Sequence, residues 1–316
     1  MLTAHILCTI KQDLALVPVS TLSYEISMTP NAGAAPIRLS LGLVAAILLS
    51  APLLGAQTDY YNTDAGRPVQ IEDAYATERY AFELKLAPLR LERGIGGVYN
   101  FGVEPEIAYG ILPRTHIEIG LPLAYNDLGG GQSSSGVAGV ELSAFHNLNA
   151  ETRTLPALGL RADVLLPVGP LGPDRTYTSL KGIATRTFSI ARFHVNGQYT
   201  FGSSDEDILT SPVPDGTAEA AGAVEVSRWL VGAAVDKTFP LRAMLVTADF
   251  FVRQPISDAE DVDYNIGTGI RYQVNPKFNI DGGLGRRING PDQGWFVTFG
   301  TAYAFAIRSF LPGGDR

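Results

Sequence analysis

Glu83, Lys85, Glu104, Glu106, Glu118, Glu141, Arg161 and Asp163 recur at alternate positions in short segments whose intervening residues are largely apolar. Further along, Arg192, His194, Asp249, Arg271, Asp281 and Arg287 do the same. The first group is mainly acidic, the second more basic. If the fold gathers them onto one surface, two kinds of chemistry are open. Opposed groups can set up a transverse field that orients polar solutes. Alternatively, carboxylates and guanidinium groups pair across a narrow space and satisfy one another, because unpaired buried charge is expensive. Mutual pairing is the reading favoured, since it leaves no buried charge uncompensated.

Catalysis has little to build on. Beyond residue 56 the histidines are His116, His146 and His194, and the chain has no Gly-x-Ser-x-Gly elbow and no His-Glu-x-x-His pair. His194 and Asn196 share a face and would need an unidentified serine to make a hydrolytic triad, so no catalytic residue is assigned and no enzyme activity is expected. "GGGQSSSG" (129–136) has phosphate-loop spacing, yet Val137 and Ala138 stand where lysine and a hydroxyl residue are required. We read it as a flexible loop. Two links concentrate acid, Asp205, Glu206 and Asp207 in one, and Asp258, Glu260, Asp261 and Asp263 in the other. Their spacing matches no calcium loop, so neither a metal nor another cofactor is expected. With 32 acidic against 24 basic residues, a basic footprint for nucleic acid is missing.

The elements that must position these side chains are strands. Among 316 residues there are 34 glycines, and only 18% are charged, a composition suited to many strands and turns. Alternating segments fall at 79–92, 97–110, 115–125, 137–148, 157–168 and 177–189, then at 191–202, 223–238, 242–254, 263–274, 277–288 and 295–308. In 97–110, Tyr99, Phe101, Val103, Ile107 and Tyr109 share one face, while Asn100, Gly102, Glu104, Glu106 and Ala108 share the other. Segments 177–189 and 223–238 alternate poorly, with Arg186 and Lys237 drifting toward the apolar side. At roughly 10–14 residues these strands are about twice the usual length for a soluble sheet, and long enough for a tilted bilayer crossing. Tight turns such as "LPRT" (112–115), "PLR" (240–242) and "NPK" (275–277) alternate with longer polar links such as "NDLGGGQSSSG" (126–136) and "GPLGPDRT" (169–176). Long links on one side and short turns on the other are the asymmetry of an outer-membrane barrel. The expectation is an all-β, transmembrane, antiparallel up-and-down β-barrel of about 12 strands, with the polar face lining a lumen. A soluble all-β protein is the competing reading.

Outside the barrel, expected at 79–310, the organisation is simpler. Residues 36–56, "PIRLSLGLVAAILLSAPLLGA", have the order of a secretory signal, and cleavage after Ala56 would leave Gln57 first. Met28 is the expected start, so that 28–56 is the signal peptide and 1–27 an upstream extension carrying the sole cysteine, Cys8. Residues 57–78 lack alternation and are either a periplasmic segment or an inward plug. Residues 311–316 form a C-terminal tail.

The late stretch "TFGTAYAF" (298–305) carries a resemblance. Thr298, Gly300, Tyr303 and Phe305 resemble the C-terminal assembly signal of bacterial outer-membrane barrels, although "AIRSFLPGGDR" follows it, so that Phe310 is a second candidate for the closing aromatic. The strand–turn–strand unit "EPEIAYGILPRTHIEIGLPLAYN" (104–126) is similar to the barrel family of the meta-pathway of phenol degradation, described as outer-membrane transporters. The resemblance implies outer-membrane localisation and passive uptake of small, aromatic or apolar solutes. The partners it implies are outer-membrane lipid, the barrel-assembly machinery and a small-molecule solute. A non-conducting structural or adhesion barrel is the alternative, and a barrel enzyme a more distant one.

Overall fold

The computed structural model describes residues 62–93, 99–202, 226–256, 261–289, 293–307 and 310. The expected extension, the signal peptide, the tail and the acid-rich link at 205–207 lie outside the described residues.

The alternating segments form β1 (Ala81–Arg93), β2 (Tyr99–Leu112), β3 (Thr115–Gly120), β4 (Leu123–Gly129), β5 (Gln132–Val137), β6 (Val140–Asn149) and β7 (Ala157–Leu166). They continue as β8 (Tyr177–Thr187), β9 (Arg192–Phe201), β10 (Ser227–Phe239), β11 (Met244–Pro255), β12 (Asp263–Asn275), β13 (Phe278–Arg287) and β14 (Trp295–Ala306). β2 pairs with both β3 and β4, β3 with β6, and β4 with β5. Thus β3 with β4, and β5 with β6, are single staves interrupted once, and the sheet has twelve staves. β1 pairs with β2 on one side and with β14 on the other, which closes the barrel. The ring of staves is closed, the condition hydrocarbon imposes on any β structure, while β5, at the end of its stave, pairs on one side only, with β4.

The interruptions have local causes. Proline cannot donate to the ladder, and Pro122 separates β3 from β4. Opposite it, Gly139 takes φ 125°, a left-handed value suited to glycine, and separates β5 from β6. Ala138 N–H still donates to Pro122 O at 2.8 Å, so the two staves stay joined across the break. The register of β1 slips between Leu86 and Leu89 against β2. The expected long link at 126–136 is corrected: its residues continue the staves as β4 and β5, which meet at Gly130 and Gly131, both with positive φ. The polar Ser133–Ser135 run reads as a loop in sequence, but each serine has a partner in β4.

Burial decides which face looks where. In β9, Phe193, Val195, Tyr199 and Phe201 are exposed, while Arg192, His194, Asn196 and Thr200 are buried. In β12, Tyr264, Ile266, Ile270 and Tyr272 are exposed, and Asp263, Asn265 and Arg271 are buried. The outside is therefore apolar and the inside polar, the reverse of a soluble barrel. A strand of ten residues rising ~3.3 Å each with a ~40° tilt spans ~25 Å, the height of the apolar band of a membrane barrel. Val195 is 52% exposed near the middle of β9. Val195→Arg is expected to cost about 2–4 kcal/mol, the penalty for a cation at the bilayer midplane, read as a lower urea midpoint for unfolding from vesicles.

Aromatic residues gather at both ends of the outer surface. Phe82 stacks on Tyr109 at 4.5 Å and on Phe305 at 5.4 Å, with Phe310 edge-on at 5.4 Å. This cluster covers the β14–β1–β2 seam where the barrel closes, and it includes both candidate terminal aromatics, Phe305 and Phe310. At the opposite end Tyr99 meets Trp295 at 6.2 Å. The poorly alternating segments also resolve. Arg186 turns its guanidinium to the carbonyls of Thr152, Arg153 and Leu155 in the adjoining turn. In β10 a register shift between Ser227 and Trp229 resets the alternation, after which Leu230, Gly232, Ala234 and Asp236 point inward.

Candidate functional site

Of the polar residues expected on the inner face, Lys85, Glu104, Glu118, Arg161, Arg192, His194, Asp249, Arg271 and Asp281 are buried. Glu83, Glu106, Glu141, Asp163 and Arg287 are half-buried. The structure links most of them by ion pairs. Lys85 reaches Glu118 at 2.5 Å, Glu106 at 3.3 Å and Asp64 at 3.1 Å. Arg161 contacts Asp163 at 2.6 Å, Glu118 at 2.8 Å, Glu141 at 3.4 Å and Glu72 at 3.7 Å. Arg271 pairs with Asp281 at 3.2 Å. Carboxylates and cations on the same stave, on staves one or two apart, and at residues 64 and 72 of the inner segment thus neutralise one another locally. Such pairing lowers the cost of keeping charge away from bulk water.

A third group joins Thr185, His194 and Asp236. His194 lies 2.9 Å from Thr185 Oγ1 through Nδ1 and 2.8 Å from Asp236 through Nε2, and Arg192 holds the same carboxylate at 2.6 Å. A hydroxyl, an imidazole and a carboxylate in line resemble a nucleophile relay. Here, however, the Thr185 hydroxyl accepts the N–H of Ala74 at 2.9 Å and is fully buried. The chain holds a backbone amide, and the hydroxyl has no open side for a substrate.

That amide belongs to residues 62–79, which run through the interior ahead of β1. A buried irregular backbone must have its polar groups satisfied, and inward side chains from many staves do this. Asp249 accepts the N–H groups of Gln70 at 2.8 Å and Ile71 at 3.3 Å. Asn196 accepts from Glu72 N and donates to Glu72 O, both at 2.9 Å. Asn147 donates to Ala74 O at 2.6 Å, Thr298 to Pro68 O at 2.9 Å, and Thr77 N–H to His116 Nδ1 at 3.0 Å. Charges add to these bonds: Arg67 to Asp281 at 3.2 Å, Glu72 to Lys181 at 2.7 Å and Asp73 to Arg192 at 3.8 Å. Glycines make the room. A Cβ on Gly283 would lie 2.1 Å from Pro68 O, and one on Gly110 2.0 Å from Glu78 O.

The interior is not uniformly hydrophilic, which corrects the simple division into an apolar outside and a wet inside. Ile71 packs with Leu230, Ala234 and Phe251, and Ala74 with Phe145, Ala157 and Ile183. These inward apolar residues form two seats for the segment. A further inward ring, Phe296, lies over Gly285 and under the Arg90 guanidinium at 3.9 Å.

Among the described residues, cavities remain beside this segment, two of which bear on the site. One, of about 170 Å³, opens toward the long links and is lined by Asp64, Lys85, Glu104, Glu106, Glu141 and Arg161 among others. The other, of about 360 Å³, lies toward the short turns beside Thr63, Asp64, Tyr75, Glu83 and His116. Asp64 touches both. Several members of this interior escape the sequence reading: Asp64, Arg67, Glu72 and Asp73 sit in a segment without periodicity, and Lys181 and Asp236 in the poorly alternating strands. Asp263, which closes an acidic link and also opens the polar face of the strand 263–274, is inward and pairs with Arg253 at 3.2 Å and Arg287 at 3.3 Å. Among the described residues, no cluster of three acidic, histidine or cysteine side chains is arranged to hold a metal ion.

No family model matches the chain, and no curated protein matches it in sequence. Similar solved structures are outer-membrane barrels. The COG4313 outer membrane channel from Pseudomonas putida F1 is 16% identical, with 77% of this chain and 100% of that chain covered and a TM-score of 0.48. The KdgM porin in complex with disordered oligogalacturonate is 10% identical, with 71% and 99% covered and a TM-score of 0.45. Outer membrane phospholipase A from Escherichia coli, an enzyme, is 10% identical, with 72% and 96% covered and a TM-score of 0.36.

Proposed function

We propose that this protein is an outer-membrane channel for passive uptake of small solutes, and that residues 62–79 act as its internal plug. The observation that carries this reading is the pair of cavities, one toward each end of a closed barrel with an apolar exterior, meeting at Asp64. A barrel with no transport role has no need for internal space on both sides of an internal segment. Eight strands leave an interior filled by side chains and sixteen leave a channel; twelve staves leave room that one extended segment can close. In this reading the signal at 28–56 exports the chain, the assembly machinery reads Thr298, Gly300, Tyr303 and Phe305, and the long links face outward. The resemblance to the phenol meta-pathway barrels makes aromatic or apolar solutes the first class to try.

The competing reading is a non-conducting structural or adhesion barrel. Planar-bilayer recording of the refolded protein separates them. Steady unitary steps, with liposome swelling that differs between graded aromatic acids and sugars, are the expected result. Silence from barrels proven to be inserted would give the answer to the non-conducting reading.

A further inference from the structure

Glu104 breaks the pattern of mutual neutralisation. It is only 6% exposed, yet its Oε1 has no hydrogen-bond partner, and no ion pair joins it to any described cation. The wall explains why none reaches it. On one side the register of β1 slips between Leu86 and Leu89, so no β1 residue is paired with Glu104. On the other side lies Gly120, whose missing side chain leaves space for the carboxylate; a Cβ there would come within 2.7 Å of Oε1. Beyond Gly120, its register partner in β6 is Glu141, and two residues along β2 is Glu106. These three acids line the cavity of about 170 Å³ together with Lys85 and Arg161.

Those two cations are already shared. Lys85 serves Asp64, Glu106 and Glu118, and Arg161 serves Glu72, Glu118, Glu141 and Asp163. The lining as a whole is balanced, since Arg90, Lys181 and Arg253 also face the cavity, but those three pair with Glu92, Glu72 and Asp263, so the stretch of wall at Glu104 still wants a donor. Toward the long links the same wall leaves Asn100 Oδ1 and Asn126 Oδ1, register partners in β2 and β4, also buried without a donor. Each orphan on this path is an acceptor. Because no three of the described acids are arranged to hold a bare metal ion, the fitting donor is polyatomic. A primary ammonium group offers three N–H donors that can reach spaced oxygens. The cavity is several times the ~30 Å³ share of one water, so a short alkyl chain can follow the head group.

We infer that Glu104, supported by Glu106 and Glu141, forms a receptor for the ammonium group of a small alkylamine entering from the long-link side. The inference deepens the channel reading, since it names a solute class, but the site can be tested without conduction. Butylammonium binding to the processed chain in detergent micelles, followed by equilibrium dialysis, is expected to saturate at one site per chain. Butanol and butanoate are expected not to compete. Glu104→Gln keeps the shape and removes the charge, and should weaken binding about tenfold or more, the scale of one charge-assisted hydrogen bond. Gly120→Ala should weaken it as well by pushing the carboxylate aside, and it serves as the second readout if the Gln variant fails the heat-shift test for a folded barrel. Equal affinity in wild type and both variants would overturn the site. So would displacement of butylammonium by magnesium at comparable concentration. Binding by a barrel silent in bilayers would keep the site and reject the channel, whereas conduction without binding would do the opposite.

Discussion

Deleting residues 57–78 is expected to raise unitary conductance severalfold and to move ion selectivity toward anions. The first effect follows from geometry. Residues 62–79 stand between two cavities of about 170 and 360 Å³, and their removal joins the two. The second follows from charge. The deleted stretch carries Asp59, Asp64, Glu72, Asp73 and Glu78 against Arg67 alone. Lys181 and Arg192 then lose Glu72 and Asp73, their partners at 2.7 and 3.8 Å, and face the open pore. Charged rings of this kind set the sign of the ion admitted. Single-channel recording with a salt gradient measures both effects. A folded deletion variant with wild-type conductance and reversal potential would mean that the segment does not obstruct passage. Gly283→Ala is a milder version: its Cβ would stand 2.1 Å from the carbonyl of Pro68, which must move. Brief openings to the larger level are expected to become more frequent.

Lys85→Met should destabilise the barrel by about 3–5 kcal/mol, the range for removing one partner of a buried ion pair. Lys85 is 2% exposed, and its ammonium is the shared counter-charge of Asp64, Glu106 and Glu118. Methionine fills similar volume but leaves these carboxylates facing one another in a confined space. Urea unfolding from vesicles supplies the measurement. The double variant Lys85→Met, Glu118→Gln removes one of the opposed charges and is expected to recover part of the loss, because residues in one network couple non-additively. A Lys85→Met cost below about 1 kcal/mol would place this network in the class of solvent-screened pairs, and the interior would then be much wetter than its burial indicates.

Both effects turn on contacts that differ in how far they show in the amino-acid order. Lys85 and Glu118 are legible as inward residues because Phe82, Leu84 and Leu86 alternate with the first, and Ile117 and Ile119 flank the second. Their pairing is not legible. It depends on β1, β2 and β3 lying side by side with Ala108 opposite Glu118 and Glu106 opposite Lys85. Asp236 was hidden by the bulge between Ser227 and Trp229, which shifts the alternation by one residue. The serines of 133–135 read as a loop because the run Gln132–Gly136 has no apolar residue to alternate with.

Period-two alternation is a local property: each side chain takes its face from the pleat, whatever strand lies beside it. For that reason the amino-acid order alone determined the number of staves and the two chemically distinct faces of each, whereas burial in the closed barrel decided that the apolar face looks outward, and pairing turned the expected link at 126–136 into β4 and β5. It could not determine what crosses the interior. Residues 62–79 have no period, and their amides and carbonyls are satisfied by side chains such as Asp249, Asn196, Thr185, Asn147 and Thr298, spread over five strands. Only closure of the barrel brings those groups to one line, and only closure leaves Glu104 between a slipped register and Gly120 with an oxygen unpaired.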